Sequence, residues 1–473
     1  MPDESRLKGI SLMNGQLLEN PFTPAFRTSA AVCIFIIATS LAIFVSPLAV
    51  LVPLAGVAFL WIPFHSPVST LGVVLAFMPF DFIAIALGKF YGLPHMTLVS
   101  ACDKEVILLL LTFILWRQNG FKPTAPDWFL LACFTLAVMR TAFGGTLVGL
   151  VTDFAFIISY LVGRVTVLTT KQEHLWARCA VWIVGILSVL GLVEVFIFGE
   201  GPRTLLYLTI GVETEGGQLT SSFHATGLTG PREAATTGGP NGFATFCMVA
   251  SIIWWVYCRN PLPAAMIAVG LICSVTRAAW LGTAAAIPLL AVITQQKKRL
   301  VLYAALALGL FVMSIPVLGL SEYLITAKTG QDLSAEGHRE DILAGLKYAA
   351  DHPFGSGNGK VGPLANKEVS NVPIFETTYP AFAAEYGIAA VLCFVGFLFS
   401  ALYLVWREQS QLGYLAVGIL VGISLVMIFT LPLHDRRLDC WVWFPVGLAV
   451  RSAIGRARGT TPPSRLQTIL ENP

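Results

Sequence analysis

Residues 337–360 read GHREDILAGLKYAADHPFGSGNGK, and residues 376–387, after a segment without a clear pattern, read ETTYPAFAAEYG. In the first stretch Ile342, Leu343, Leu346 and Ala350 recur at helical spacing, while Glu340, Asp341, Lys347 and Asp351 take the other face. That pattern predicts one amphipathic helix. Arg339 stands at its start. Pro353 stops it, because proline has no N–H to give and its ring clashes with the preceding turn. Gly355, Ser356, Gly357, Asn358 and Gly359 then follow as a loop. Almost everything else in the chain is apolar runs, so the expected architecture is a membrane bundle that carries one structured polar loop.

Composition agrees. The 473 residues are 56% hydrophobic and 12% charged, against about 25% charged in soluble domains. The net charge of +3 is small and scattered, which gives no reason to expect nucleic acid as a partner. The nine cysteines form no CxxC pair and no metal-ligand spacing. Cys33, Cys133, Cys179, Cys273 and Cys393 sit inside apolar runs and read as inert buried thiols. Cys102 and Cys440 both fall near the expected outer surface, where a bridge between them stays open. Residues 1–27 are polar, with Arg6, Lys8 and Arg27, and no cleavage-site pattern follows, so no cleavable signal is expected.

Apolar runs lie at Thr28–Ser46, Leu48–Phe64, Val68–Lys89, Asp103–Trp116, Asp127–Phe143, Leu147–Leu168, Leu175–Phe198, Asn241–Tyr257, Leu262–Ser274, Ala278–Ile293, Leu300–Leu318, Tyr379–Val405, Leu412–Leu431 and Cys440–Val450. They predict an all-α, polytopic transmembrane bundle of about 12–14 spans. Residues 1–473 read as a single integral membrane domain without internal repeats. Short basic loops mark the cytoplasmic side: Arg117 with Lys122, Lys171 with Arg178, Arg259, Lys297 to Arg299, Arg407, and a tail with Arg451, Arg456 and Arg458. Counting spans between them puts residues 200–240 and 319–378 in the periplasm and the tails 1–27 and 451–473 in the cytoplasm.

That count leaves Arg203, Arg232, Arg277, Arg339, Lys360, Arg436 and Arg437 on the outer side. Arg277 sits in a tight turn between two apolar helices, where an arginine is costly unless it faces a cavity or a partner; the plainer reading is that it snorkels to the headgroups. Outer arginines around one cavity suit an anionic headgroup, since a guanidinium pairs bidentately with phosphate oxygens. Arg436 and Arg437, beside Asp435 and Asp439, read as solvated loop charges. The loop Gly355–Gly359 either cradles phosphate with its N–H groups or simply ends the helix; it is no Walker loop, because Val361 follows Lys360. Asp81, Asp153 and Glu194 lie within apolar runs, where they pair with Lys89, Arg140 or Arg164 or line an ion pathway.

The combination of Arg339 and Glu340 on an amphipathic helix, His352-Pro353 with Gly355 and Gly357, and a helix entered through Glu385, Gly387 and Ile388 resembles the O-antigen ligase and O-antigen polymerase superfamily of polytopic membrane glycosyltransferases. Thr276-Arg277-Ala278-Ala279-Trp280 resembles that family's arginine turn, and Gly238 to Phe243 its Pro-Asn motif. The resemblance covers roughly the C-terminal half. It implies transfer of a glycan from an undecaprenyl diphosphate carrier, at the periplasmic face of the inner membrane, to a sugar hydroxyl. It also implies Arg277, Arg339 and Arg232 as ligands of the diphosphate. The family usually carries a His-Asn pair where this chain has Glu376 and Thr377, so Glu376 is the expected general base, with His338 the second candidate. No cofactor or metal is expected. The acceptor is either another lipid-linked repeat unit or lipid A-core, with a lean to the polymerase because the histidine is missing. Membrane lipids and other polysaccharide assembly and export proteins are the further partners. A secondary transporter or flippase of a lipid-linked or anionic solute, and a non-catalytic carrier-binding relative, are the rival readings.

Overall fold

The computed structural model forms two compact units, Met1–Pro67 and Val68–Pro473. It describes residues 66–90, 96–199, 204–205, 232–237, 239–318, 333–358, 375 and 377–457. These fall almost entirely in the second unit. The expected spans Thr28–Ser46 and Leu48–Phe64 lie outside the described residues, as do most of the loop 200–240 and the middle of the loop 319–378.

The described residues are helices and turns, with no strand among them. In chain order the helices are α1 (Pro67–Phe77), α2 (Asp81–Phe90), α3 (Met96–Asn119), α4 (Ala125–Ala142), α5 (Leu147–Val165), α6 (Thr170–Val193), α7 (Pro240–Tyr257), α8 (Pro261–Cys273), α9 (Arg277–Ile293), α10 (Lys297–Leu318), α11 (Leu333–Asp351), α12 (Thr378–Tyr386), α13 (Ile388–Trp406), α14 (Gln411–Phe429) and α15 (Arg436–Ala457). Among the described residues, five segments are long and apolar enough to cross a membrane: Leu147–Val165, Thr170–Phe198, Lys297–Pro316, Ile388–Trp406 and Gln411–Phe429. The protein is a polytopic helical membrane protein, and the amphipathic helix expected in its polar loop is α11.

Two expected spans are each broken in two, for local reasons. Val68–Lys89 becomes α1 and α2, separated by a 3₁₀ turn over Met78–Phe80, because Pro79 cannot donate to an α-helical ladder. Tyr379–Val405 becomes α12 and α13, because Gly387 at φ +92° breaks the helix. Helix starts follow capping chemistry. Proline opens α7 and α8, where its missing N–H costs nothing. Thr169 and Gln172 form a reciprocal capping box on α6.

Helices α5 and α15 cross at close range. A Cβ on Gly163 would lie 2.2 Å from the Phe444 carbonyl oxygen, and one on Gly447 would lie 2.1 Å from that of Tyr160. Each glycine thus lets the other helix's backbone approach, as small residues do in membrane bundles. Gly282 of α9 and Gly422 of α14 meet in the same way. Around these crossings Phe156, Phe394, Phe397 and Trp443 pack ring against ring. Along α10, by contrast, Val301, Leu302, Leu308 and Met313 are exposed, as lipid-facing residues are.

One end of the bundle collects basic side chains. Arg164 holds Asp127 through Nε (3.0 Å) and Nη2 (2.8 Å), and Tyr160 donates to the same carboxylate at 2.9 Å. Arg451 donates to the carbonyls of Asn119, Gly120 and Arg164. Arg299 caps the end of α7 at Trp255 O (2.7 Å) and stacks over Trp254. Arg456 reaches Glu408 at 3.6 Å. The expected partnership of Arg164 with Asp81, Asp153 or Glu194 is therefore replaced by Asp127, which α4 presents in its first turn. Cys440 is free and buried, 3.5 Å from Ser159 Oγ, which removes the bridge to Cys102. Cys133 and Cys273 are buried as expected, whereas Cys179 is exposed.

Candidate active site

The opposite end holds the motifs. The turn Ser274–Thr276 joins α8 to α9 and presents Arg277 as the first residue of α9, half-buried. The carbonyls that end α8 are capped by specific donors. Ser274 Oγ and Trp280 Nε1 both donate to Leu271 O at 2.7 Å, so the tryptophan of the TRAAW motif serves to close the turn. The Glu233 N–H donates to Cys273 O at 3.1 Å. Arg232 Nε donates to Ser274 O at 2.9 Å, and its Nη2 to Thr276 Oγ1 at 2.7 Å and to Asn241 Oδ1 at 3.0 Å. The arginine turn and the Pro-Asn start of α7 are thus one structure, stitched by Arg232.

Gly242, next to Asn241, lies against Asp435: a Cβ there would sit 2.5 Å from Asp435 Oδ2. Asp435 Oδ1 accepts from Arg437 N (3.2 Å) and Arg437 Nε (3.1 Å), capping α15. Arg437 also lies over the Phe82 ring. Arg436 Nη2 donates to Thr152 Oγ1 of α5 at 2.8 Å. The expectation that Arg436 and Arg437 are solvated loop charges fails, because the helix begins at Arg436 and draws both side chains onto neighbouring elements; both are half-buried. Asp153, next to Thr152, is fully buried and accepts from Tyr386 of α12. A polar belt therefore runs across this end, from the Arg277 turn through Asn241, Asp435 and Arg436 to Asp153 and Tyr386.

The glycine loop docks at the far end of this belt. Gly355 (φ +76°) and Gly357 (φ +101°) adopt conformations that side chains resist. A Cβ on Gly355 would lie 2.5 Å from Glu385 O. Ser356 N and Gly357 N donate to Ala384 O (2.8 Å) and Glu385 O (2.9 Å), and Ile388 N donates to Pro353 O at 3.0 Å. Asn358, fully buried, accepts from Thr146 N at 2.9 Å and donates to Thr146 O at 2.7 Å. The N–H groups of Ser356 and Gly357, expected as possible phosphate donors, are used on the α12–α13 corner instead. The motif His352 stacks on Tyr348 at the end of α11. Its Nδ1 lies 3.1 Å from Tyr348 O.

Helix α11 rests on α12 where Gly345 meets Pro380, with a Cβ there 2.5 Å from the proline. Its first half carries His338, half-buried, and Arg339, exposed. The described contacts do not join Arg339 to the Arg277 turn. Glu376 lies outside the described residues, between Phe375 and Thr377, which are both buried. Thr152, Tyr386 and Asn358 escaped sequence reasoning as site residues. Tyr386, inside the Glu385–Gly387 motif, and Asn358, inside the loop Gly355–Gly359, lay within stretches the sequence singles out, whereas Thr152 carried no signal.

No curated protein matches the chain. Residues 262–395 match the family model for O-antigen ligase. That segment includes the arginine turn, α11, the glycine loop and the α12–α13 corner, and the family implies glycan transfer of the ligase or polymerase type on lipid-linked substrates in the membrane. The match over these motifs supports the resemblance of this segment to the O-antigen ligase and polymerase superfamily.

Proposed function

We propose that the protein transfers a glycan from undecaprenyl diphosphate to a sugar hydroxyl at the periplasmic face of the bacterial inner membrane, as a polysaccharide polymerase. Arg277 and Arg339 bind the diphosphate, through the bidentate geometry that guanidinium offers to phosphate oxygens. The acceptor hydroxyl oxygen attacks the anomeric carbon, and its proton passes to Glu376. The bond from that carbon to the diphosphate oxygen breaks, and undecaprenyl diphosphate leaves with the bonding pair. The observation that carries the reading is the belt that gathers Arg277, Asn241 and Asp435 at the end of the bundle opposite the basic cluster of Arg164, Arg299, Arg451 and Arg456. An end rich in arginines suits the cytoplasm, which supports a periplasmic placement of the motifs.

The test is reconstitution of the purified protein in liposomes with an undecaprenyl diphosphate-linked oligosaccharide. One arm supplies only that donor, and the other adds lipid A-core. Release of undecaprenyl diphosphate with chain growth in the first arm is the expected result. Transfer only in the second arm makes the protein a ligase, and no release in either arm overturns the enzymatic reading.

A further inference from the structure

Val275 is a β-branched residue held at φ +49°, a region such residues rarely enter because the branched Cβ crowds the backbone. A conformation of this kind persists only where the surroundings over-determine it. Here they do. Val275 is buried in a cluster with Cys273, against which Leu192, Val269, Trp280, Phe311 and Ile315 pack. Its own N–H donates to Ile272 O at 3.0 Å. On the other side, Arg232 holds the residues before and after it, Ser274 through its carbonyl and Thr276 through its hydroxyl. The same guanidinium reaches Asn241 Oδ1, which anchors the clamp to the start of α7. The rigid fork of the guanidinium suits this task, since its donors diverge at fixed angles.

We propose that Arg232 is a positioning residue, which pins the strained turn at Val275 so that α9 starts in register and presents Arg277 to the substrate. It acts through Arg277 and takes no phosphate oxygen itself. The proposal rests on the reading above, in which Arg277 grips the carrier diphosphate. It departs from the expectation that Arg232 is a third phosphate ligand.

The experiment compares purified wild type, Arg232→Ala and the double variant Arg232→Ala with Val275→Gly. Amide exchange across residues 274–280 is measured without ligand, and binding of undecaprenyl diphosphate is measured in the same detergent. Arg232→Ala is expected to speed exchange in that segment and to weaken binding about tenfold, the scale of a lost charged hydrogen bond. Val275→Gly, which adopts positive φ without strain, is expected to restore most of the binding. Unchanged exchange in Arg232→Ala overturns the proposal. So does a binding loss that Val275→Gly leaves untouched, because a direct ligand cannot be replaced by relaxing the turn. If wild type does not bind undecaprenyl diphosphate, the carrier reading falls and exchange alone decides the positioning role. Where Arg232→Ala does not accumulate, Arg232→Lys takes its place, keeping the charge without the fork.

Discussion

The hydroxyl of Tyr386 donates to the carboxylate of Asp153 at 2.5 Å, inside a fully buried site between α12 and α5. Asp153 neighbours Thr152, which takes Arg436, so this bond ties the polar-loop side of the molecule to the first long span of the described bundle. Phe154 packs on Tyr386 and Phe382 beside it. Tyr386→Phe keeps the ring and removes the donor. It is expected to lower stability by about 1–3 kcal/mol, the cost of leaving a buried acceptor without its donor. Thermal unfolding in detergent checks this; an unchanged midpoint would show that the pair is dispensable.

The α5–α15 crossing leaves no room for side chains. Gly447→Val puts a branched residue where even a Cβ would lie 2.1 Å from the Tyr160 carbonyl oxygen. The helices must then separate, at a cost of about 3 kcal/mol or more. The variant is expected not to accumulate as a monodisperse species on size-exclusion chromatography. Gly309→Val, at a position with open space around it, serves as the control and is expected to behave like wild type.

Substrate capture by the arginines predicts a chemical order of loss. Arg277→Ala and Arg339→Ala should each abolish glycan transfer while the protein still inserts. Lysine at either position should recover little, because it lacks the planar fork. Transfer assays at matched protein levels decide the matter, and full activity in both alanine variants would remove these residues from the site.

In the proposed mechanism Glu376 fills the place that the resemblance gives to a histidine. As the base for the acceptor hydroxyl, its replacement by Gln should reduce turnover by about 10²–10⁴-fold with carrier binding retained. Glu376→His should restore part of the rate. Should Glu376 instead only favour the start of α12 through the helix dipole, Gln would cost at most about 1 kcal/mol of stability and leave turnover nearly intact. His338 would then be the next residue to replace.

Topology is open to a direct measurement. A cysteine at Ser334, at the start of α11, should react with a membrane-impermeant thiol reagent in intact cells whose outer membrane has been permeabilised. Labelling only after lysis of the inner membrane would place α11 in the cytoplasm and end the proposed mechanism.

Helix positions were legible in the sequence because apolar length, proline and glycine act locally: Pro353 ends a helix at Asp351, and the expected span Leu147–Leu168 differs from α5 only at its last turn. The motif residues were legible for the same reason, as unusual residue types inside a monotonous apolar chain. What they touch was decided only in three dimensions. Arg232 and Ser274 are 42 positions apart, Asp153 and Tyr386 233, and Thr152 and Arg436 284. Periodicity along one helix says which face is apolar but not which helix lies opposite, and that depends on where glycines such as Gly163 and Gly447 let two backbones close together. Thus the sequence by itself determined a membrane bundle with an arginine-bearing polar loop. The packing alone determined that Arg232 spends its hydrogen bonds on the Arg277 turn, that Arg436 leaves the solvent for α5, and that the glycine loop turns its N–H groups onto the α12–α13 corner.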